Sequence, residues 1–430
     1  MKNLFIKLLK FKIEYLARLT IKRYKPKIVG ITGSVGKTST KFMLKSILEA
    51  KYKVRASYGN LNNELGLSLG ILGDWKESDL SLVSHNQPVG TEKIKKILFW
   101  ANVIFSSWWR IIKKVDDYPQ VLILEYGVDR PGDMKKLLKI AKPDVSIITA
   151  IGEIPVHIEF FQGQEELARE KGRLIECLLS AQFAVLNADD ETVMRLRNRT
   201  RASILTYGFS KEANIRITRF ENTVENNLPV GISFKLEYLK SFVPVRIKSA
   251  FGKSQAMATA AAASVAILFG MNLVEISEAV SNYIPAPSRM NLIKGVKDTL
   301  IIDDSYNASP LSMYSALETL ENLPAKRKVA VLGDMLEIGK YTIEAHENVG
   351  TMAGKFLDLL VTVGERAKFI AESARVAGMK KNNIFSFDTA SDAKGFVQNI
   401  IKTGDLILIK GSHSMNLSEV VEEIKYIDIS

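Results

Sequence analysis

Residues 30–40 read Gly-Ile-Thr-Gly-Ser-Val-Gly-Lys-Thr-Ser-Thr, and they directly follow the apolar run Lys27-Ile28-Val29. This order predicts a strand, a glycine-rich turn and a helix that opens with Lys37 and hydroxyl residues. The backbone N–H groups of such a turn and the positive end of the helix dipole bind phosphate. The strict phosphate-loop pattern has glycine where this chain has Ile31. The alternative is an ordinary glycine turn before a helix. A nucleotide site is favoured because this short segment combines a strand, glycines, a lysine and paired hydroxyl residues.

The length and composition of the chain indicate a globular protein of two or three domains. It has 430 residues, of which 47% are hydrophobic and 25% charged. Its single cysteine, Cys177, excludes an internal disulfide and suits a reducing cytosol. The net charge is +12, and residues 1–27 hold nine basic residues and one acidic residue, which give +8 of it. The remainder is only mildly basic, so we expect no nucleic-acid-binding surface.

Residues 1–27 have the periodicity of a basic amphipathic helix. One side of a helical wheel carries charged residues and the broad opposite side carries apolar ones: Lys7, Lys10, Glu14 and Arg18 against Leu4, Leu8, Phe11, Leu16 and Leu19. Lysines interrupt every long apolar run, so we expect neither a membrane span nor a typical signal peptide. The helix either lies on an anionic membrane surface or caps the next domain, and the pattern favours neither.

A second apolar segment contains tryptophans flanked by basic residues. All four tryptophans fall between residues 75 and 109, and residues 97–109 are strongly apolar. Tryptophans near lysines suit a membrane interface. The alternative, which we prefer, is an inserted helix that packs on the N-terminal helix and buries Trp100, Trp108 and Trp109.

The rest of the chain predicts an α/β fold with mainly parallel sheets. Strand-like runs at 121–124, 145–149, 184–186 and 204–207 alternate with helix-like stretches at 132–141 and 164–179. Residues 213–250 alternate as antiparallel strands do, and an alanine-rich helix follows at 256–268. A linker is expected at 284–288, after which strand-like runs recur at 300–303, 329–332, 359–363, 384–387 and 406–409.

Three polar residues in this alternation are candidates for chemistry. Glu125 ends an apolar strand, where a carboxylate faces the ligand crevice of a parallel sheet and can hold Mg²⁺. His157 follows another strand and Lys171 lies in a predicted helix. Taken alone, the histidine fits a structural role and the lysine a solvated helix face.

Taken together, these segments resemble the Mur ligase family, the ATP-dependent amide-forming enzymes of cell-wall precursor synthesis. The resemblance covers about residues 27–430. It is strongest to the branch that adds D-alanyl-D-alanine to the UDP-N-acetylmuramoyl tripeptide. The matching segments are Thr32–Thr38, Asn62–Gly66, Glu125–Gly127, His157–Phe160, Lys171-Gly172, Asn187–Asp190, Ser288–Met290, Asp303–Pro310, Leu332–Gly339 and Lys410–Ser412.

The resemblance implies a fold and a domain order. The fold would be a central phosphate-loop ATPase domain, with a mainly parallel sheet plus a smaller antiparallel subsheet, and a Rossmann-like C-terminal α/β domain. The boundaries expected are 1–27 for the N-terminal helix, 28–286 for the central domain with an apolar insertion at about 74–118, and 287–430 for the C-terminal domain.

The resemblance also implies roles for individual residues. ATP would be bound by Gly33, Ser34, Gly36, Lys37, Thr38 and Ser39, with Arg289 at the γ-phosphate and Asp304 at the nucleotide. Two Mg²⁺ ions would be held by Thr38, Glu125, His157 and a carbamylated Lys171. The catalytic set would be Lys37, Glu125, His157, Lys171 and Arg289, and the substrate contacts Asn62, Asn63, Asn307 and Ser309.

The sequence departs from the family pattern in several places. About 27 residues precede the first strand, where the family usually has a domain for the UDP moiety, and the 74–118 insertion is expected to replace it in part. The Gly-x-His-x-x-x-Asn stretch that usually contacts adenine reads Gly252-Lys-Ser-Gln-Ala-Met-Ala258, with Ser254 and Ala258 at the His and Asn places. The usual Asn-Pro is Ser309-Pro310.

The resulting expectation is an ATP-dependent ligase that joins D-alanyl-D-alanine to UDP-N-acetylmuramoyl tripeptide through an acyl phosphate. We expect a cytoplasmic monomer with weak peripheral contact to the anionic inner face of the membrane. One alternative is a ligase for a different acceptor, lipid-linked or lacking UDP. Another is a non-catalytic membrane scaffold, which the retained Lys37, Glu125, His157 and Lys171 disfavour.

Overall fold

The computed structural model describes residues 2–57, 59, 61–81, 93–226 and 228–427, with 2–6, 77, 81 and 93 as backbone only. The helices are α1 Lys2–Tyr24, α2 Lys37–Leu48, α3 Glu64–Leu72, α4 Glu77–Ser81, α5 Lys93–Lys113, α6 Asp133–Ile140, α7 Gln164–Glu176, α8 Glu191–Arg195, α9 Lys253–Leu268, α10 Leu273–Ser281, α11 Pro310–Asn322, α12 Thr342–Ala353, α13 Ala367–Val376, α14 Ala390–Ile400 and α15 Ser418–Ile424.

The strands form two sheets. They are β1 Lys27–Thr32, β2 Val54–Ala56, β3 Val121–Glu125, β4 Val145–Ile148, β5 Phe183–Asn187, β6 Ser203–Gly208, β7 Ile215–Glu225, β8 Leu228–Tyr238, β9 Ser241–Lys248, β10 Asn291–Lys294, β11 Leu300–Asp304, β12 Arg327–Gly333, β13 Leu359–Val363, β14 Ile384–Phe387 and β15 Asp405–Lys410. The parallel strand runs predicted at 121–124, 145–149, 184–186, 204–207 and after the linker are present to within a residue or two at their ends. Strand β1 continues to Thr32, beyond the predicted run 27–29, and the short strands β2 and β10 were not predicted.

The first sheet has, within the described residues, the order β2-β3-β1-β4-β5-β6-β7-β8-β9. Strands β2 to β7 run parallel, and the antiparallel β8 and β9 extend the same sheet. Along β1, Val29 and Ile31 pack with α2 and α9 on one face, while Ile28 packs with α1 and α3 on the other. Because side chains alternate along a strand, apolar residues at successive positions bury both faces.

The second sheet has the described order β10-β11-β15-β12-β13-β14, parallel except for the β10–β11 pair. Strand β12 shows the same two-sided burial: Ala330 and Leu332 pack with α11, α12 and α13, and Val329 and Val331 pack with α14 and α15. The α/β class with a mainly parallel large sheet and antiparallel strands is thus confirmed. The domain boundaries remain a proposal.

Helices α1 and α5 pack against the first sheet's outer layer and against each other. Tyr24 of α1 donates its hydroxyl hydrogen to the backbone oxygen of Arg110 in α5, at 2.7 Å, and stacks on Tyr118. Packing of the two helices was therefore predicted correctly. Of the helices that the structure describes, none combines the length and apolar character needed to cross a bilayer.

The predicted faces of α1 were wrong in detail. Its buried side is formed by Ile13, Leu16 and Ala17, whereas Leu8 and Phe11 are exposed. Lys10, assigned to the solvent-facing charged side, pairs with Glu64 of α3 at the edge of the packed face. Leu4 lies outside the described side chains, and residues 82–92 of the expected insertion lie outside the described residues.

The predicted burial of the tryptophans was also wrong for two of them. Trp108 and Trp109 are 39% and 49% exposed, while Trp100 is partly buried in the cluster beneath α5. The helix has apolar residues on more than one face, and among the described residues the face that packs on the protein is centred on Phe99 and Val103.

Candidate active site

The turn between β1 and α2 is the loop predicted to bind phosphate. Gly33 and Gly36 have φ of +148° and +88°, a region that L side chains rarely adopt. A Cβ on Gly33 would also lie 2.0 Å from the hydroxyl oxygen of Thr149. The Ser34 hydroxyl in this loop is buried, with no hydrogen-bond partner among the described residues. The loop therefore offers a spare donor beside the N-terminus of α2, as an anion site requires.

Lys37, the first residue of α2, folds back over this loop. Its ammonium group donates to the backbone oxygen of Gly33 at 2.7 Å. Burial lowers the pKa of Lys37, and the nearby Glu125 partly restores it. The cation is thus held where a phosphate would replace carbonyl oxygens as its partner.

Glu125 lies beside this lysine because strands β1 and β3 are neighbours. Ile31 of β1 is in register with Glu125 at the end of β3. The Thr38 hydroxyl donates to the Glu125 carboxylate at 3.2 Å, and the ammonium of Lys41 lies 3.3 Å from it. Burial raises the pKa of Glu125, but Lys41, Lys37 and Arg289 outweigh that effect and the net shift is downward. The carboxylate therefore stays ionised although it is only 1% exposed.

Arg289 reaches the same point from the opposite side of the cleft. Its guanidinium donates to the Thr38 hydroxyl oxygen at 3.3 Å. The guanidinium carbon lies 3.9 Å from the centre of the Tyr306 ring, which supports it from the second sheet's side. Arg289 thus joins the linker after α10 to the start of α2.

Lys171 lies beneath the loop. It projects from α7, is 1% exposed, and donates to the backbone oxygen of Gly33 at 3.3 Å. Burial first, and then the positive charge of Lys37, lower the pKa of Lys171 to about 7. The alternative of a solvated helix face is excluded by this burial.

His157 sits between two carboxylates. Its Nδ1 lies 2.7 Å from Glu337, and its Nε2 lies 3.3 Å from Asp129. Hydrogen bonding to His157 lowers the pKa of Glu337. Because Glu337 follows β12, the histidine bridges the two sheets across the cleft, with a φ of +70°.

Three predicted residues of the second sheet lie at the ends of β11 and α11. Asp304 pairs with the ammonium group of Lys410, which also donates to the backbone oxygen of Asn307 at 2.8 Å. Burial raises the pKa of Asp304, against the effect of Lys410. Ser309 caps α11 by accepting from the N–H of Ser312 at 3.3 Å, so its hydroxyl has a structural partner.

Asn62 and Asn63 have different surroundings. Asn62 lines the cleft, and its backbone oxygen accepts from the N–H of Gly127 at 2.8 Å. The side-chain oxygen of Asn63 instead caps α3, accepting from the N–H of Gly66 at 2.9 Å. The structure therefore brings Asn62 to the cleft and commits Asn63 to a helix end.

These residues surround one cleft of about 1380 Å³ between the two sheets. Most of the predicted set lines it: Ser34, Gly36, Lys37, Thr38, Ser39, Asn62, Glu125, His157, Arg289, Asp304, Asn307 and Ser309. Lys171, Gly33 and Asn63 are not among the lining residues. Ser254 and Ala258, the two departures at the expected adenine place, also line the cleft.

Sequence reasoning missed Lys41, Asp129, Glu337, Tyr306 and Lys410 as site residues. Lys41 follows Lys37 by four positions, which places both on one helix face and was a usable signal. Lys410 ends a parallel strand, as Glu125 does, and could have been found in the same way. Asp129 and Glu337 lie in loops, where no periodic pattern marks them.

The oxygen atoms of Glu125 and Thr38 fit a Mg²⁺ site at the mouth of the loop. Both are hard ligands, and they lie 3.2 Å apart. Among the described residues no three His, Cys, Asp or Glu side chains converge to hold a metal ion. Mg²⁺ usually keeps waters and substrate phosphates as its other ligands.

Comparison with known families gives two matches that follow one another along the chain. The Mur ligase middle domain matches residues 31–79 and 110–266. The Mur ligase glutamate ligase domain matches residues 288–413.

Individual relatives agree with these matches. The chain is 27% identical over 416 residues to the UDP-N-acetylmuramoyl-tripeptide--D-alanyl-D-alanine ligase of Bacillus subtilis, covering 96% of this chain and 79% of that protein. It is 25% identical over 401 residues to the Escherichia coli ligase of the same name, covering 93% and 77%. The structure of MurF ligase from Thermotoga maritima in complex with ADP superposes with a TM-score of 0.76 at 25% identity, covering 96% of this chain and 83% of that one. The chain therefore belongs to the Mur ligase family, whose members are ATP-dependent ligases that form amide bonds.

Proposed function

We propose that this enzyme joins D-alanyl-D-alanine to UDP-N-acetylmuramoyl tripeptide at the expense of ATP. The observation that carries the proposal is the meeting of Lys37, Thr38, Glu125 and Arg289 at one point of the cleft between the sheets. The similarity to the ligases of Bacillus subtilis and Escherichia coli supports this choice of substrates.

The reaction has two steps. A carboxylate oxygen of the tripeptide attacks the γ-phosphorus of ATP, so that an acyl phosphate forms and ADP leaves. The amine of D-alanyl-D-alanine then attacks the acyl carbon, loses a proton, and displaces phosphate. Lys37 and Arg289 are placed to neutralise charge on the transferring phosphoryl group. Bound Mg²⁺, held by Thr38 and Glu125, would add to that neutralisation.

The two sheets must close on each other for this chemistry. The central unit at 28–286 supplies the phosphate loop, and the unit at 287–430 supplies Arg289, Asp304 and Asn307. The contacts from Arg289 to Thr38 and from His157 to Glu337 already cross the cleft. Closure excludes water, which would otherwise hydrolyse the acyl phosphate.

We further propose that Lys171 is carbamylated in the active enzyme. With a pKa of about 7, this amine is largely neutral under physiological conditions, and only a neutral amine adds to CO₂. The carbamate would be an anion beside Lys37, and it would offer an oxygen ligand to a second Mg²⁺ together with His157. A bare ammonium at the same place would repel the metal ion.

The location that we propose is the cytoplasm, where the enzyme acts as a monomer with a peripheral contact to the inner face of the membrane. The excess of basic residues in residues 1–27 supports contact with anionic lipid.

The test of the proposed reaction is phosphate release with substrates omitted one at a time. Purified enzyme is incubated with ATP, Mg²⁺, UDP-N-acetylmuramoyl tripeptide and D-alanyl-D-alanine. We expect sustained release only with the complete mixture, and a product heavier than the tripeptide substrate by one dipeptide less water. Sustained phosphate release when either substrate is omitted, or an acceptor whose mass does not change, would contradict the proposal.

A further inference from the structure

Helix α5 presents a continuous apolar stripe to solvent. Its large members are 39% to 75% exposed: Ile94, Ile97, Leu98, Phe105, Trp108, Trp109 and Ile112. These positions recur every three or four residues, so they share one face of the helix. At 1.5 Å per residue the stripe is about 30 Å long. Monomeric proteins rarely expose a contiguous apolar patch of this kind without a partner for it.

The opposite face of α5 is already occupied by the protein. Phe99 and Val103 are buried, and Phe99 packs edge-on against Trp75 and Trp100. The fold therefore anchors α5 firmly, while its second apolar face stays exposed among the described residues. Residues 80–109 fall outside both matched family segments, so all of the stripe except Ile112 lies outside the matched part of the chain.

The neighbouring helix α1 adds exposed apolar side chains. Leu8, Phe11 and Tyr15 are 58%, 64% and 44% exposed on the side of α1 that faces away from its buried residues. The hydrogen bond from Tyr24 to Arg110 ties α1 and α5 into one unit. Two adjacent helices thus carry apolar side chains that are exposed in the described part of the chain.

The charges on α1 and α5 indicate which kind of partner covers their exposed apolar faces. In sequence, α1 has seven basic residues and one acidic residue, and α5 has five basic residues and no acidic one. A second copy of the chain docked through the same helices would bring these like charges together, which is unfavourable. An anionic bilayer attracts the lysines and accepts the apolar stripe, and its interface favours tryptophans such as Trp108 and Trp109.

We propose that α1 and α5 dock the enzyme on an anionic phospholipid bilayer, with the apolar stripe of α5 lying in the membrane interface. The helix lies along the surface and does not cross it. Helices α1 and α5 would thus be the part of the protein that makes the proposed peripheral membrane contact, and this contact does not depend on the ligase reaction. Vesicle binding is therefore measured without ATP or substrates, so that its failure and the failure of the proposed reaction are distinguishable.

The experiment is flotation of the full-length enzyme with vesicles of phosphatidylglycerol and phosphatidylcholine, or of phosphatidylcholine alone. Two variants are compared: Phe105→Asp with Ile112→Asp, on the stripe, and Leu239→Asp with Val376→Asp, which are 85% and 76% exposed elsewhere. Each variant adds two negative charges at exposed apolar positions. Comparing the two therefore distinguishes the effect of disrupting the stripe from a general effect of added negative charge on vesicle binding.

We expect the wild type and the Leu239/Val376 variant to float with anionic vesicles at low salt and to bind at least about tenfold more weakly at high salt or with neutral vesicles. The stripe variant should bind anionic vesicles at least about tenfold more weakly than wild type does. Its phosphate release in solution should stay unchanged. Brominated lipid should quench wild-type tryptophan fluorescence.

Three results would overturn the proposal. The wild type could fail to float with anionic vesicles at low salt. The stripe variant could bind as well as wild type. Sedimentation could show a wild-type dimer that the stripe variant abolishes, which would assign the stripe to a second copy.

Discussion

The ammonium group of Lys41 lies 3.3 Å from the carboxylate of Glu125, and both side chains are closed to solvent. Burial lowers the pKa of Lys41 and raises that of Glu125, while each partner opposes the shift in the other. Lys41 also donates to the backbone oxygen of Gly59. The lysine thus fixes an ionised carboxylate at the mouth of the phosphate loop before any ligand arrives.

This pairing predicts strong coupling in a double-mutant cycle on stability. Lys41→Met or Glu125→Gln alone should lower the free energy of unfolding by about 3 kcal/mol, because each removes one partner of a buried ion pair. The double variant should lose clearly less than the sum of the two. Urea unfolding measures all four proteins.

The matched control is the exposed pair of Lys368 and Asp388, which lie 2.8 Å apart. Lys368→Met and Asp388→Asn should each leave the free energy of unfolding close to that of the wild type, since exposed pairs contribute little to stability. Additive losses at Lys41 and Glu125 would show that the two groups do not stabilise each other.

Replacing Lys37 should abolish ligase turnover without unfolding the protein. In Lys37→Ala the cation facing the phosphates is lost where charge develops, and a fall in kcat of at least about a hundredfold is expected. Lys45→Ala is the control, because Lys45 lies toward the exposed side of the same helix and pairs with Glu49. Near-normal turnover of Lys37→Ala at saturating ATP would place the nucleotide elsewhere.

Carbamylation of Lys171 predicts a defined pH dependence. Its folded-state pKa is depressed to about 7, so the neutral amine increases from about a tenth at pH 6 to about nine tenths at pH 8. Activity at limiting bicarbonate should therefore rise with pH through about 7, and ¹³C-labelled bicarbonate should give a carbamate NMR signal that the Lys171→Ala variant lacks.

Chemical rescue provides the control for this position. Lys171→Ala should be inactive, and a short carboxylate such as formate should restore part of its activity by supplying the missing oxygen ligand. A wild-type enzyme that shows no carbamate signal at pH 8 with excess bicarbonate would contradict the modification.

The ring of Tyr306 is expected to hold Arg289 in its working position. Tyr306→Leu removes a cation–π contact of 3.9 Å and should lower kcat about tenfold, with a smaller effect on the KM for ATP. Phe242→Leu is the control, since Lys235 lies 4.1 Å from that ring in the β8–β9 hairpin. Equal effects of the two substitutions would show that Tyr306 acts only through general packing.

The fold was largely predictable because the spacing of apolar residues along the chain indicates which positions are buried. Strands such as β13 and β14 were predicted at their observed bounds, since runs of buried apolar residues between polar loops leave little choice. Strand β2 escaped prediction because it has only three residues, of which Val54 and Arg55 are half-buried. The ion pair between Lys10 and Glu64 of α3 could not be predicted from a helical wheel, which contains no information on neighbouring helices.

The site was predictable only in part, for a related reason. Glu125 and Lys37 stand at strand and helix ends, where topology forces them into the crevice. Asn63 and Ser309 have the same residue types as ligand-binding positions, but their side chains cap helices α3 and α11. Sequence composition alone does not reveal which polar side chains form such caps. Ser309 also lines the cleft, and its predicted contact with substrate remains a proposal.

The most direct test of the account is the fate of an oxygen atom. The tripeptide acceptor is prepared with ¹⁸O in its terminal carboxylate and converted by the enzyme with unlabelled ATP and D-alanyl-D-alanine. If Lys37, Glu125 and Arg289 serve an acyl-phosphate ligase, one ¹⁸O atom must appear in each released phosphate as the amide forms. Amide product accompanied by phosphate without ¹⁸O would contradict the central claim.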